Sequence, residues 1–410
     1  MRRVAITGAG TINPLGHDVV QTYAAMQAGD CAIGPLTCRD LDRLSVQIGA
    51  EVRGFDPDAH FSRSARTLLD RFSQFALVAG REAMVQSGLS APGLALSGDM
   101  ACRAGVVLGT AGGGNTTVDE NYRTVYEAGK NRVHPFVVPR LMHNAATAQL
   151  AMEFGLKGPS YTVSTACASA NHAMGQAFHL IRGGAADVMM TGGSEAMLCF
   201  GGIKAWEGLR VMAQDTCRPF SRDRSGMVQG EGSAVFVFED MDHALARGAD
   251  ILAEVAGFGM SSDASDIVMP DIDGPSRAMR AALQDAGLPP DAVDYVNAHG
   301  TGTAANDRVE AQALRRVLGD HLDRIPVSST KSMHGHLIGA TSAVELLAGL
   351  MALREGVIAP TINFSEADPE IALDVVPNLA RRGQVDVVMS NAFAFGGLNA
   401  VLILKRWSGL

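Results

Sequence analysis

Short, almost wholly apolar runs alternate along this chain with longer stretches whose apolar residues return every three or four positions. Runs of the first kind lie at 4–7, 104–109, 186–192 and 234–238, and again at 253–258, 295–297, 387–390 and 400–404. Without strict alternation, such runs predict strands covered on both faces. Helical spacing appears near 66–88, 168–183, 276–287, 307–318 and 340–354. Strands and helices in this order predict an α/β protein with buried sheets. The polar, glycine-rich stretch 200–232 follows neither period, and its Trp206, Phe220 and paired charges predict an ordered loop.

Composition narrows the picture. With 410 residues, 47% hydrophobic and 19% charged, the chain can bury a large core, as two or three average domains or one large unit. A net charge of −9 and the lack of a basic run argue against nucleic acid as a partner. An acidic protein could still dock where cations cluster locally. The first residues enter a strand at once, which leaves no room for a secretory signal. No apolar run reaches the roughly 18 to 20 residues of a membrane span. Cysteines 31, 38, 102, 167, 199 and 217 form no CxxC pair. The expectation is a cytoplasmic protein with free thiols and no membrane association.

One cysteine stands apart. Cys167 lies in Ser164-Thr165-Ala166-Cys167-Ala168-Ser169 and is followed by a helical stretch of small side chains. A thiol at a helix start gains from the dipole and the free N–H groups, which favour thiolate. Two histidines sit on glycine-flanked turns: His299 in Asn297-Ala298-His299-Gly300-Thr301-Gly302-Thr303, and His336 in Lys331-Ser332-Met333-His334-Gly335-His336. Imidazoles are suited to steadying charge around a reacting carbonyl. The other five cysteines, and His172 and His179, read as structural; His334 reads as packing or solvent-facing.

These words resemble the active site of a β-ketoacyl-[acyl-carrier-protein] synthase, of the elongating type II kind. The likeness extends to Arg218-Pro219-Phe220-Ser221, Gly230-Glu231-Gly232 and Pro360-Thr361-Ile362-Asn363. It implies a thiolase-like five-layered αβαβα sandwich of two similar halves, 1–250 carrying the nucleophile and 251–410 the two histidines. It implies an acyltransferase that joins a carrier-bound acyl chain to malonyl-[acyl-carrier protein] through an acyl thioester on Cys167. In this reading His299 and His336 hold the malonyl thioester while carbon dioxide leaves. Lys331, partnered by Glu345, tunes their charge. Phe395, in Asn391-Ala392-Phe393-Ala394-Phe395-Gly396-Gly397-Leu398-Asn399, is the gate, and its N–H joins that of Cys167 in an oxyanion hole.

The same resemblance assigns Thr301 and Thr303 to the pantetheine arm, with Ile203 also at the substrate. At Gly112 many relatives carry a branched aliphatic, so glycine implies a deeper acyl pocket. Glu345, Asn297, Ser390 and Asn391 suggest a structural monovalent cation; no redox or organic cofactor and no transition metal is implied. Carrier docking falls to Arg63, Arg66, Lys130, Arg132, Lys204 and Arg210, although Glu207 stands where relatives often have arginine. The family is typically homodimeric. Two departures concern the gate: Ala394 replaces a glycine, which predicts restricted swinging, and Leu398 replaces a threonine.

Rival readings fare worse. Gly8-Ala9-Gly10 has Asn13 where a dinucleotide fingerprint needs its third glycine, and Pro14 follows. Ser194 lacks the G-x-S-x-G elbow. A thiolase needs a second cysteine late in the chain, and none follows Cys217. Starter-unit condensing enzymes carry asparagine where His336 stands. A non-catalytic chain-length partner would lack the nucleophile. A nodulation-type or polyketide ketosynthase making unusual acyl chains remains open beside housekeeping elongation.

Overall fold

The computed structural model describes residues 1–90 and 94–409. Among these, ten strands form one mixed sheet. In chain order they are β1 (Val4–Ile12), β2 (Ala104–Gly109), β3 (Ser160–Val163), β4 (Val188–Glu195), β5 (Gly232–Asp240), β6 (Ala253–Ser262), β7 (Tyr295–Asn297), β8 (Val327–Ser328), β9 (Val387–Ala394) and β10 (Leu398–Lys405). Their spatial order is β8-β7-β9-β10-β6-β1-β5-β4-β2-β3.

That order contains a repeat the sequence hides. From the centre outward, the first half reads first, fifth, fourth, second, third strand, and the second half reads the same. In each half the inner three strands pair antiparallel and the outer three parallel. The halves join where β1 meets β6, with Val4 opposite Val255. Most of these strands are buried from end to end, as their unbroken apolar runs predict.

Five helices complete the layers: α1 (Arg71–Ser87), α2 (Ser169–Arg182), α3 (Asp273–Ala286), α4 (Ala304–Leu318) and α5 (Thr341–Glu355). Helix α1 starts at Asp70, whose side chain accepts the Phe72 N–H, and ends at Gly88 with φ +68°. It packs outside β1 and β5, while α3 packs outside β6 and β10. Helices α2 and α5 lie together between the strands of the two halves. The result is the thiolase-like αβαβα sandwich.

Glycine pairs allow the outer layers to close. A Cβ on Gly8 or Gly10 would lie 2.2 or 2.1 Å from the carbonyl oxygens of Ala83 or Ala79 in α1. Gly257 and Gly259 do the same for α3, with 2.5 and 2.2 Å to Ala282 and Ala278. The Gly8-Ala9-Gly10 word thus serves helix packing. The expectation of loop over 200–232 fails at its start, where Phe200–Glu207 is helical. Its glycines and tryptophan masked the period, and burial of Ile203 supplies what propensity does not.

Candidate active site

Cys167 sits in a single 3-10 turn, Ala166–Ala168, that runs into α2. Ala166 adopts φ +49°, a left-handed conformation that costs an alanine energy and turns the next side chain sharply. The Ser169 hydroxyl pins this elbow, accepting the Thr165 N–H at 2.9 Å and donating to the Ala166 carbonyl at 2.7 Å. His172 braces it from the next turn, its Nδ1 lying 3.1 Å from the Ala168 carbonyl.

Cys167, His299 and His336 line one cavity of ≈ 160 Å³ together with Thr301, Thr303 and Phe395. The imidazoles lie edge to face, centroids 5.6 Å apart. Each has its tautomer set. The Ile338 N–H donates to His336 Nδ1 at 3.1 Å, so the ring proton stands on Nε2. The Lys331 ammonium approaches His299 Nδ1 at 3.4 Å, which leaves that proton on Nε2 as well. Burial first, then the Lys331 charge, hold both histidines well below their ordinary pKa. They are neutral Nε2–H donors.

Lys331 is fully buried and spends its three protons on His299 Nδ1, the His299 carbonyl and Glu345 Oε1, the last at 2.6 Å. Burial pushes the Glu345 carboxyl up against the pull of Lys331. Burial works against the sequence-based expectation of a thiolate at Cys167. Burial drives its thiol up to about 12, outweighing Lys331 and the N–H groups of Phe395 and Cys167 directed at the sulfur. Desolvation beats a short helix start.

Phe395 stacks on Trp206 at 5.8 Å and closes one side of the cavity. The left-handed residues of its turn are Gly396 (φ +81°) and Gly397 (φ +67°), whereas Ala394 ends β9 in ordinary extended conformation. Ala394 therefore carries no left-handed strain in this state. Leu398 opens β10 opposite Ala394. The turn is tied to a neighbouring segment by the Gly396 N–H on the Ile267 carbonyl (2.8 Å) and the Asp263 N–H on the Gly397 carbonyl (2.9 Å).

Other expected residues fall nearby or elsewhere. Thr301 and Thr303 share a hydrogen bond of 2.8 Å at the cavity wall. Ile203 is buried in the apolar cluster that also holds Cys167, one layer behind the cavity lining. The Met197 side chain lies against Gly112, where a Cβ would come 2.7 Å from its Sδ. His334 is fully buried and bonded to Thr330 Oγ1 and the Gly335 carbonyl, hence packing and not solvent-facing.

The cations assigned to carrier docking differ in freedom. Arg66 pairs with Asp58, and Lys204 with Glu207. Arg63, Lys130, Arg132 and Arg210 are exposed and form no salt bridge among the described residues. Glu207 is a clasp: its Oε1 takes the N–H groups of Ser45 (2.5 Å) and Val46 (2.9 Å). Burial raises its carboxyl, but Lys204 and those N–H groups outweigh it and bring it down to about 2.

The set Asn297, Ser390, Asn391 and Glu345 leaves several hydrogen-bonding atoms unmet. Asn297 Oδ1, Ser390 Oγ, Asn391 Oδ1 and Glu345 Oε2 are all buried without a hydrogen-bond partner. Ser390 lies directly opposite Asn297 on the neighbouring strand. Hard oxygen donors left over in this way fit an alkali-type cation.

Sequence reasoning missed three acids. Glu310, on α4, accepts the His299 and Gly300 N–H groups at 2.8 and 2.7 Å and so shapes the first histidine turn. Asp307, one turn earlier, accepts those of Phe220 and Gly302. Glu195, at the end of β4, accepts three backbone N–H groups. The Gly192-Gly193-Ser194-Glu195 word was in view only as a failed serine elbow; an acid closing a wholly buried strand was the available signal.

Comparison with known proteins agrees with this geometry. The family model described as "Beta-ketoacyl synthase, N-terminal domain" matches residues 1–244, and "Beta-ketoacyl synthase, C-terminal domain" matches 252–365. The chain is 49% identical to "Nodulation protein E" of Rhizobium leguminosarum bv. trifolii over 405 residues, 99% of each. It is 39% identical to "3-oxoacyl-[acyl-carrier-protein] synthase 2" of Coxiella burnetii (strain RSA 493 / Nine Mile phase I), again over 99% of each. A solved structure titled "The ishigamide ketosynthase/chain length factor" superposes with TM-score 0.94 and 35% identity, covering 99% of this chain and 100% of that one.

Proposed function

The chain belongs to the β-ketoacyl synthases, and from that premise we propose that it catalyses decarboxylating Claisen condensation on carrier-bound thioesters. The carrying observation is the single cavity in which Cys167, His299 and His336 meet beneath the Phe395 turn.

Cys167 is a neutral thiol at rest, so its proton departs as the sulfur attacks the acyl thioester carbonyl. The carrier's thiol leaves with a proton, and the oxyanion between is received by the Cys167 and Phe395 N–H groups. A malonyl thioester then places its carbonyl oxygen against Nε2–H of His299 and His336. Carbon dioxide leaves, and the electron pair of the broken C–C bond passes to an enolate that the two donors stabilise. The enolate carbon attacks the acyl group, and the Cys167 sulfur is released and takes up a proton. Burial, aided by the Lys331 charge, keeps both imidazoles neutral, so they donate and do not act as cations. Asn297, Ser390, Asn391 and the free oxygen of Glu345 would hold a monovalent cation, whose charge would offset the buried carboxylates there.

Two pathway settings fit this chemistry: fatty-acid elongation, and synthesis of specialised acyl chains. Higher identity to the proteins named for nodulation than to the synthase 2 group favours the second. The acyl carrier protein docks where Arg63, Lys130, Arg132 and Arg210 offer unpaired charge. A second copy of the chain covers the apolar surface of Tyr122, Tyr126, Phe136, Val138 and Met142, which are 60%, 81%, 46%, 61% and 45% exposed.

The test is intact-protein mass after incubation with acyl carriers of graded chain length, beside Cys167→Ala. An adduct lost in the variant is expected, and its length profile reports whether Met197 limits the pocket. No adduct with any donor would favour a non-catalytic partner subunit.

A further inference from the structure

We propose that Glu195 is a positioning residue for His336, acting through the backbone of Ile338 and Gly339. Its side chain is fully buried at the end of β4, and no cation forms a salt bridge with it among the described residues. In place of a counter-charge it has donors. Oε1 accepts the Thr110 hydroxyl and the Gly112 N–H, both at 3.1 Å. Oε2 accepts the Ala111 N–H at 2.7 Å and, from the other half of the molecule, the Gly339 N–H at 3.1 Å. Burial pushes its carboxyl up to about 7 even so. A charge that costly to bury needs a compensating use.

The use lies one residue back. Ile338 holds φ +48°, a conformation that β-branched side chains avoid. The peptide before it gives the Ile338 N–H to His336 Nδ1, at 3.1 Å, and the peptide after it gives the Gly339 N–H to Glu195. The Thr341 hydroxyl also touches Nδ1, at 2.8 Å, but a hydroxyl can donate or accept and so leaves the tautomer open. A backbone N–H can only donate. It alone fixes the proton on Nε2, the face turned to the cavity. Glu195 grips the next peptide, between Ile338 and Gly339, and so opposes relaxation of the strained residue. Without it the peptide after Ile338 is free to turn, the peptide before it loses its anchored neighbour, and the N–H on Nδ1 is held less firmly. Glu195 itself does not line the cavity.

This inference rests on the condensing-enzyme reading, and two rates separate it from that reading and from general loss of structure. The first is carbon dioxide release from malonyl-acyl carrier protein, which needs the histidines. The second is alkylation of Cys167 by iodoacetamide, which needs the other elbow. Glu195→Ala is expected to lower the first about a hundredfold in kcat, with KM nearly unchanged and alkylation not slowed, since the lost carboxylate had raised the Cys167 thiol. Added formate, refilling the vacated N–H nest, is expected to restore about tenfold of the loss. Glu195→Gln keeps one oxygen for Gly339 and is expected to fall only several-fold. Unchanged decarboxylation in either folded variant overturns the proposal, as does parallel loss of both rates without formate rescue. If Glu195→Ala does not fold, the Gln variant decides by the same split. A wild-type protein that releases no carbon dioxide overturns the condensing reading itself.

Discussion

The two halves build the same elbow and use it differently. In the first, Ala166 (φ +49°) precedes Cys167, and the 3-10 turn Ala166–Ala168 feeds helix α2. In the second, Ile338 (φ +48°) precedes Gly339, and the turn Ile338–Ala340 feeds helix α5. The end of the matching strand reaches across in each case. Phe395, just past β9, directs its N–H at the Cys167 sulfur, while Glu195, ending β4, takes the Gly339 N–H. One elbow opens on a cavity; the other is filled by a carboxylate. The fold thus supplies two sites of one geometry, and occupant side chains decide that one performs covalent chemistry and the other steadies a histidine.

Giving the first elbow the residue of the second is the largest test. Cys167→Gly is expected to abolish the acyl adduct and lower condensation by about 10⁴-fold or more. Malonyl decarboxylation should persist, because His299 and His336 remain. Mass spectrometry and carbon dioxide release check the pair, and an adduct that survives the substitution would place the nucleophile elsewhere.

The reverse exchange probes space. A Cβ on Gly339 would lie 2.4 Å from the Ala111 nitrogen and 2.7 Å from Glu195 Oε2, neither of which can yield easily. Gly339→Ala is expected to cost about 1–3 kcal/mol, read as a lower denaturation midpoint. A midpoint equal to wild type would mean that the second elbow is not sealed.

The thiol offers a third, smaller contrast. A group whose pKa is raised to about 12 is protonated throughout the neutral range, and its reactive form grows as pH rises. Alkylation of Cys167 in the unliganded protein should therefore accelerate steadily from about pH 7 to about pH 10. A plateau already reached near neutrality would show that Lys331 and the N–H groups outweigh burial, making the two elbows electrostatically alike.

How much of this was legible depends on range. Cys167, His299, His336 and Lys331 each sit in a distinctive local word, and the cavity gathers the first three as the words imply. The buried strands announced themselves by apolar runs. The repeat of the halves did not, because it is carried by strand order and not by residue identity. Very short strands at the sheet edge, such as β8, give no period to read. At Gly112 the sequence shows a missing side chain but not the neighbour, Met197, that lies against it. Glu195 and Glu310 were hidden because their partners are backbone N–H groups, which nearly every residue has; only the folded chain shows whose.

The smallest effect is expected at Ala394, where the sequence predicted restricted swinging of the gate. Ala394 stands in the strand that carries the gate across to the first elbow, yet the left-handed conformations fall on Gly396 and Gly397. Ala394→Gly should cost about 0.5–1 kcal/mol through added freedom of the unfolded chain, and it should change condensation by less than about twofold. The reason is mechanical: the Gly396 and Asp263 N–H bonds that tie this turn to the 263–267 segment do not involve residue 394, so its replacement leaves the latch intact. A several-fold faster condensation in the glycine variant, measured at saturating acyl carrier, would show the opposite. The gate would then pass through a state in which residue 394 turns left-handed, and the difference between the elbows would lie in motion as well as in their occupants.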